Sequence, residues 1–407
     1  MTANVSMYNC IELADEQARS ADTLVAWARY TSGARGCAGA RGPRDGRVRA
    51  LRGLAGTGKT TVAAEIARRL ATVGTRGAVV APTGKAAHVL RTKGIAATTI
   101  HAAAYQLVGD GADGPEFILR RGIAGDPDVV ICDEASMATN DHLIDLLSRV
   151  PKVLLVGDPG QLPPVSGTPV LHAAEGVDLL QVHRQAMDSG VVRFAHAIRA
   201  GASLAAAIKV GAPDVVARRP PHLPGVVLVS RNDTRVRTNA GIRKQVHAST
   251  PWPWPVAGDR VVCLTNHSRA AQAPRYGGGG EADGPTPDPW CNGTVGDVVR
   301  RADGAATAVH ASAIHGFTAV CDDGLERTGR AWLQQLTAGA LLQVDEWDRS
   351  RMSARFAWGW ALTTHKAQGS EWDEVAVLED GFGSPDELRA WRYTAATRAA
   401  TKLWWAV

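Results

Sequence analysis

Apolar and polar positions in the N-terminal part of the chain alternate between two textures. Short apolar runs at Val48–Arg52, Ala78–Ala81, Val129–Cys132 and Val153–Val156 read as buried strands. Between them lie stretches of helical period. Asp15–Tyr30 places Ala21, Leu24, Val25 and Ala28 on one face, with Asp15 as the expected N-cap. Lys59–Leu70 does the same with Val62, Ile66 and Leu70, and a further helix is expected over Asp141–Leu147. Strand–helix alternation of this kind predicts a parallel sheet covered by helices. Beyond about Ala173 the pattern recurs more weakly, with strands expected at Val226–Val229 and Val375–Leu378. From about Asp259 to Val344 the texture changes. Short β-type runs (Val261–Leu264, Thr294–Val299, Phe317–Val320) alternate with Gly, Pro and Asp turns, which predicts a small all-β insertion inside the second α/β unit. Thr31–Gly46 and Ala271–Pro289 are rich in Gly with Arg or Pro and read as surface loops.

The chain has 407 residues, 45% of them hydrophobic, enough for sizeable cores. A net charge of +5 fits a nucleic-acid partner without demanding one. The six cysteines are scattered, with no Cys-x-x-Cys pair and no zinc spacing, so reduced thiols are expected. No apolar run approaches the ~20 residues of a membrane span. Residues Met1–Asp15 lack a signal-peptide core, and a cytoplasmic location is expected.

Gly53-Leu-Ala-Gly-Thr-Gly-Lys-Thr60 fits the phosphate-loop pattern G-x-x-x-x-G-K-[ST], between an expected strand and an expected helix. Backbone N–H groups of Gly53, Ala55, Gly56, Thr57, Gly58, Lys59, Thr60 and Thr61 would wrap the phosphates of ATP, since glycine has no Cβ to block the approach. The helix N-terminus adds partial positive charge. Lys59 would reach the β- and γ-phosphates, and Thr60 would ligate Mg²⁺. Asp133-Glu134 ends the apolar run Val129–Cys132, which delivers both acids to the sheet edge beside the phosphate loop. Asp133 would hold Mg²⁺, partly through water, and Glu134 would act as general base toward the attacking water. These motifs imply nucleotide hydrolysis and leave open what it drives.

Further stretches narrow that choice. Val156-Gly-Asp-Pro-Gly-Gln-Leu-Pro-Pro-Val165 resembles motif III of superfamily 1 helicases, Ala361-Leu-Thr-Thr-His-Lys-Ala-Gln-Gly-Ser-Glu371 motif V, and Tyr393-Thr-Ala-Ala-Thr-Arg-Ala399 motif VI. Ala81-Pro-Thr-Gly-Lys-Ala-Ala87 resembles motif Ia, Thr99-Ile-His101 motif Ic, and Asp15-Glu-Gln17 the adenine-reading Q motif. They stand in the family's order over nearly the whole chain. The form of motif V, together with Gly258-Asp-Arg-Val-Val262 and Asn292-Gly-Thr-Val-Gly296, is similar to the RecD/Dda branch of superfamily 1B.

The resemblance implies two RecA-like parallel-sheet α/β domains, 1–173 and 174–407, with ATP between them. It also implies a short β-hairpin insertion, the strand-separating pin, at about 105–123 in the first domain. An SH3-like β-rich insertion is expected at about 259–345 in the second. Gln161 resembles the γ-phosphate sensor, and Arg184 and Arg398 the arginines that stabilise charge on the transferring phosphoryl group. Gln17 would bond the adenine, while Gly369 and Glu371 fall near the nucleotide. Pro82, Thr83, His101, Thr363 and His365 are the implied contacts to single-stranded DNA, which carry no sequence information. Lys85 is a weaker phosphate candidate. Phe117, in the short hairpin region with Asp110-Gly-Ala-Asp-Gly114 at its expected tip, could pack on an unpaired base. Most of the twelve tryptophans read as packing residues, and Trp252 and Trp254 as a weak candidate partner surface.

The implied function is a 5′-to-3′ DNA helicase using ATP and Mg²⁺, expected as a monomer, with a protein partner in replication or recombination left open. The brevity of the hairpin region supports a second reading: a DNA-stimulated ATPase, or a translocating subunit of a recombination or repair complex, that does not itself unwind.

Overall fold

A computed structural model describes residues 13–29, 44, 46–111, 114–182, 184–248, 255–264, 290, 292–301, 314–322, 324–332, 336, 355–381 and 383–406. Nearly all of the Gly/Arg-rich stretch 31–46 lies outside the described residues, as do Trp252, Trp254 and segment 271–289. The chain divides into two compact units. The first comprises Met1–Ala217, Gln368–Asp373 and Phe382–Leu403; the second comprises Arg218–Ala367, Glu374–Gly381 and Trp404–Val407.

The strands of the first unit are β1 (Val48–Gly53), β2 (Gly77–Ala81), β3 (Ala97–Thr99), β4 (Tyr105–Gly111), β5 (Gly114–Leu119), β6 (Val129–Cys132), β7 (Lys152–Gly157), β8 (Gly176–Leu179) and β9 (Val215–Val216). Six of them form one sheet in the order β3-β2-β6-β7-β1-β8, with parallel neighbours throughout. Its helices are α1 (Asp15–Arg29), α2 (Lys59–Thr72), α3 (Gly84–Thr92), α4 (Ile100–Ala104), α5 (Asn140–Leu147), α6 (Arg184–Asp188), α7 (Gly190–Arg199) and α8 (Leu204–Gly211). Both faces of a parallel sheet are covered, which is why β6 and β7 are buried at every residue and read as continuous apolar runs. Alternate side chains feed two separate cores. Val130, Cys132, Val153 and Leu155 pack with Leu143 and Leu146 of α5 on one face. Ile131, Leu154 and Val156 pack with Leu24 of α1 and Val62, Ile66 and Leu70 of α2 on the other. Each large side chain buried in this way contributes roughly 1.5–3 kcal/mol.

The start of α1 corrects one expectation. Asp15 is the first helical residue rather than the N-cap, and the Gln17 side chain accepts the Ala14 N–H instead. The hairpin strands β4 and β5 pair antiparallel, from Tyr105 opposite Leu119 to Gly111 opposite Gly114.

The second unit holds β10 (Val226–Val229), α9 (Asn232–Val246), β11 (Arg260–Cys263), β12 (Val295–Arg301), β13 (Ile314–Cys321), β14 (Glu326–Trp332), β15 (Phe356–Trp358), β16 (Ala361–Thr363), α10 (Thr364–Ala367) and most of β17 (Trp372–Leu378). β10 pairs in parallel with both β16 and β17. A five-stranded sheet, β14-β13-β12-β11-β15, is antiparallel throughout. Its core stacks Trp290, Phe317 and Phe356 edge to face, with ring centroids 4.9–6.0 Å apart. That is the geometry the ring quadrupole favours.

The chain returns to the first unit with α11 (Pro385–Ala396) and most of β18 (Ala399–Ala406). Ser384 and Glu387 form a capping box at the start of α11, and Pro385 takes the first turn, where its missing N–H costs nothing.

Candidate nucleotide site

In the order β6-β7-β1, parallel strands bring three C-terminal ends side by side: Cys132 before Asp133, Gly157 before Asp158, and Gly53 at the head of the phosphate loop. The edge beyond these strand ends is where open α/β sheets take ligands. The loop turns through Gly56 and Gly58, both left-handed at φ 82° and 76°, before α2 begins at Lys59. A Cβ at Gly56 would also stand 2.7 Å from Ala186 Cβ, so a side chain there meets both strain and collision.

Lys59 Nζ donates to Leu54 O at 2.8 Å and lies 3.9 Å from the Asp158 carboxylate. Thr57 Oγ1 closes the loop on the same carbonyl at 2.9 Å. Thr60 Oγ1 donates to Asp133 Oδ2 at 3.2 Å, which sets a hydroxyl and a carboxylate oxygen side by side. This hard-oxygen pair fits Mg²⁺, which needs few protein ligands when phosphates and waters supply the rest. Among the described residues no cluster of three or more His, Cys, Asp or Glu forms a fuller metal cage. Burial, reinforced by the neighbouring Glu134 charge, pushes the Asp133 carboxyl up to about 6, against the pull of Lys59 and Thr60. Glu134 sits in the left-handed region at φ 53°, ahead of a short 3-10 turn, Ala135–Met137. Strain of order 1–3 kcal/mol at a non-glycine residue is typical of functional positions.

Two buried acceptors have no hydrogen-bond partner among the described residues: Gln161 Oε1 and Ser136 Oγ. Gln161, whose amide can both accept and donate, thus keeps its acceptor open. Ser136 was missed by sequence reasoning, although it stands only two residues after Glu134.

The larger omission is Tyr393. It opens the motif VI stretch, yet its role depends on a contact 235 residues away in sequence. Its hydroxyl donates to Asp158 Oδ2 at 2.6 Å and accepts the Ala55 N–H of the phosphate loop at 2.8 Å. Asp158 is fully buried and also accepts the Gly160 N–H at 2.8 Å. Burial first, and then the Asp158 charge, raises the Tyr393 pKa, so the phenol stays protonated and remains a donor. The Arg199 guanidinium stands 5.8 Å from the centre of its ring. Leu162, next to Gln161, donates its N–H to Thr394 Oγ1 at 2.8 Å and accepts from Gln368 Nε2 at 3.0 Å. Tyr393, Thr394 and Gln368 therefore wire the phosphate loop and the Gln161 loop to the C-terminal part of the unit. Gly369 (φ 77°) sits so close to α3 that a Cβ would lie 3.2 Å from Ala86 Cβ.

The remaining candidates fall as follows. Gln17 is buried, and its Nε2 donates to Thr57 O at 3.0 Å, so it braces the loop backbone. Arg398 is buried, held by Thr394 O, Ser370 O and Thr397 Oγ1 at 3.0–3.2 Å. Arg184 opens α6, and its side chain lies outside the described residues. A cavity of about 320 Å³ is lined by Gly56, Ser189, Val192, Glu371, Thr397 and Ala399. Pro82 and Thr83 follow β2, and Thr83 Oγ1 caps α3 by accepting the Ala86 N–H at 3.1 Å. Lys85, in the first turn of α3, is buried. His101 stacks on Tyr105 at 5.2 Å and meets Phe117 edge-on at 5.8 Å. In the second unit Thr363 is buried at the end of β16, and His365 is half-buried in α10.

Comparison with known proteins bears on the family and the fold. Residues 43–216 match the AAA domain family, and residues 359–405 match the UvrD-like helicase C-terminal domain. The chain is 32% identical over 381 residues to the ATP-dependent RecD2 DNA helicase of Deinococcus radiodurans, spanning 87% of this chain and 46% of that protein. It is 30% identical to the RecBCD enzyme subunit RecD of Mycolicibacterium smegmatis, over 87% of this chain and 67% of the subunit. The chain therefore covers about half to two thirds of the length of these relatives. Bacteroides Pif1 bound to single-stranded DNA shares the fold at TM-score 0.57 and 16% identity, covering 98% of this chain and 93% of that one. The Pif1 helicase of Candida albicans does so at 0.56 and 17%, with 98% and 94% covered. The structural likenesses show an α/β fold of two RecA-like domains, and the chain belongs to the RecD-like helicases of superfamily 1B.

Proposed function

We propose that the protein is an ATP-driven motor that moves 5′ to 3′ on single-stranded DNA and separates duplex ahead of it. One observation carries this reading most: Tyr393 bonds to both the phosphate loop and Asp158, so nucleotide contacts and the C-terminal motif share one buried network. In an ATPase used only as a switch, nothing requires that link.

In this reading the loop N–H groups and Lys59 hold the phosphates. Thr60 and Asp133 would hold Mg²⁺, which supplies charge neutralisation at the phosphates. Glu134 accepts the proton of the attacking water, and Gln161 orients that water through its open acceptor. Arg398, released from its carbonyl partners, and Arg184 stabilise charge on the γ-phosphoryl group. Gln17 braces the loop and turns an amide edge to adenine, while Glu371 lines the adjoining cavity. Pro82, Thr83, His101, Thr363 and His365 contact the DNA strand, largely at phosphates and base faces. The β4–β5 hairpin serves as the pin, and the antiparallel sheet of the second unit as an SH3-like guide.

The mycobacterial relative is a subunit of the RecBCD enzyme, which favours a second reading, a translocating subunit inside a larger complex. Strand displacement on 5′-tailed, 3′-tailed and blunt duplexes tests both, with Lys59→Ala as control. Displacement that needs ATP and a 5′ tail supports the first. Single-stranded-DNA-stimulated hydrolysis with no displacement supports the second, and displacement only from a 3′ tail overturns the polarity.

A further inference from the structure

Helix α5 carries no residue assigned to nucleotide or DNA, yet it touches what lies downstream of one and beneath the other. At its N-terminus Thr139 and His142 form a capping box. Thr139 Oγ1 accepts the His142 N–H at 3.3 Å, and His142 Nδ1 accepts the Thr139 N–H at 3.4 Å. The same turn is gripped by the segment that follows Gln161. Asn140 N–H donates to Thr168 O at 2.8 Å, and Thr139 bridges Pro169. Gly167, at φ 83°, lies so close that a Cβ there would stand 2.9 Å from Thr139 Cγ2. Only a few residues separate Gln161 from this grip, and Pro163 and Pro164 stiffen the first of them. These contacts tie the segment after Gln161 to the start of α5.

The other side of α5 meets the hairpin base. The His142 ring is 5.3 Å from that of His101, edge to face at 78°. One turn further along, Asp145 accepts the hydroxyl hydrogen of Tyr105, the first residue of β4 and the ring on which His101 stacks. Two contacts from a single rigid helix thus fix the two aromatic residues from which the hairpin springs.

We infer that α5 is a positioning strut, through which the state of the Gln161 loop is set against His101 and the β4–β5 hairpin by way of His142 and Asp145. The inference rests on the proposed motor reading only for its consequence, duplex separation. The coupling itself needs nothing but nucleotide binding.

Amide hydrogen exchange on the full chain, with and without ATPγS and Mg²⁺, tests it. In the wild type, nucleotide should slow exchange in peptides of the phosphate loop and change it in peptides covering 105–119. In His142→Ala the phosphate-loop response should persist, and the hairpin response should shrink about fivefold or more. Tyr105→Phe is the milder variant, since it keeps the ring stacked on His101 and removes only the bond to Asp145. It should uncouple in the same direction. A hairpin response equal to wild type in both variants, or none in a wild type whose phosphate loop does respond, overturns the strut. Strand displacement measured in parallel reports separately on the motor reading, because a wild type that fails to unwind still gives the exchange result.

Discussion

Two buried aspartates, one in each unit, show how different a working acid is from a structural one. Asp133 in the first unit accepts the Thr60 hydroxyl, crowds Glu134, and has its carboxyl pushed up to about 6 by burial. Asp259 in the second unit is fully buried as well, but every side of it is occupied. Arg243 binds it through two nitrogens at 2.7 and 2.8 Å, His247 Nε2 lies at 2.8 Å, and the Val256 N–H donates at 2.9 Å. Arg243 in turn lies 4.0 Å over the Trp358 ring. Buried charge that is fully paired holds a fold together, whereas buried charge left under-satisfied awaits a ligand. In the first unit two neutral polar atoms, Gln161 Oε1 and Ser136 Oγ, are open as well.

The largest expected effect breaks the comparison at Asp133. Asp133→Asn keeps the shape and removes the charge, so ATP hydrolysis should fall by about 10³-fold. The melting temperature should hold or rise, because an acid whose folded pKa is raised weakens the fold once ionised. Steady-state ATPase rates and a thermal melt on one preparation check both halves. A large fall in melting temperature would show that Asp133 is structural after all.

Asp259→Asn should do the reverse. Removing the negative partner leaves Arg243 buried and uncompensated, a loss of about 3–5 kcal/mol in buried pairs. Urea unfolding followed by tryptophan fluorescence, to which Trp290 and Trp358 of this unit contribute, should show the loss. Nucleotide binding by the folded fraction should remain. Unchanged stability would mean that the second unit tolerates an unpaired guanidinium there.

The difference between these regions also explains what could be read from sequence. Lys59, Thr60, Asp133 and Glu134 were legible because each motif is contiguous and sits at a strand end with an unmistakable apolar pattern. The strands β1, β2, β6 and β7 follow from the same runs. Tyr393, Asp158 and Gln368 stand inside recognisable stretches, but their pairings cross more than two hundred residues and leave no local trace. Helix α9 stayed hidden for another reason. Its buried face carries Arg235, Asn239 and Arg243 at helical spacing, so a search for apolar periodicity passes over it. Those polar residues are inside because they have partners: Asn239, for one, bonds both the N–H and the carbonyl of Ala361, each at 2.9 Å. Asp15 is no cap because it is already the first residue of α1, and the Gln17 side chain accepts the N–H of Ala14 just before it.

The smallest expected effect concerns pH, and it sharpens the contrast within the first unit. Burial lowers the pKa of His101, and burial followed by the charge of His101 lowers that of His142. The unfolded chain takes up protons on these rings near the ordinary value of 6.5, while the folded one still resists. More protons bound in the unfolded state means that stability rises with pH. It is present in full above about 6.5 and is lost as the pH falls from there through the lowered folded values. Denaturation midpoints between pH 7.5 and 5 should therefore decline, and His101→Gln should flatten that decline without changing the midpoint at pH 7.5 by much. A slope identical in wild type and variant would assign the acid sensitivity to other groups and leave the His101–His142 pair without a protonation cost.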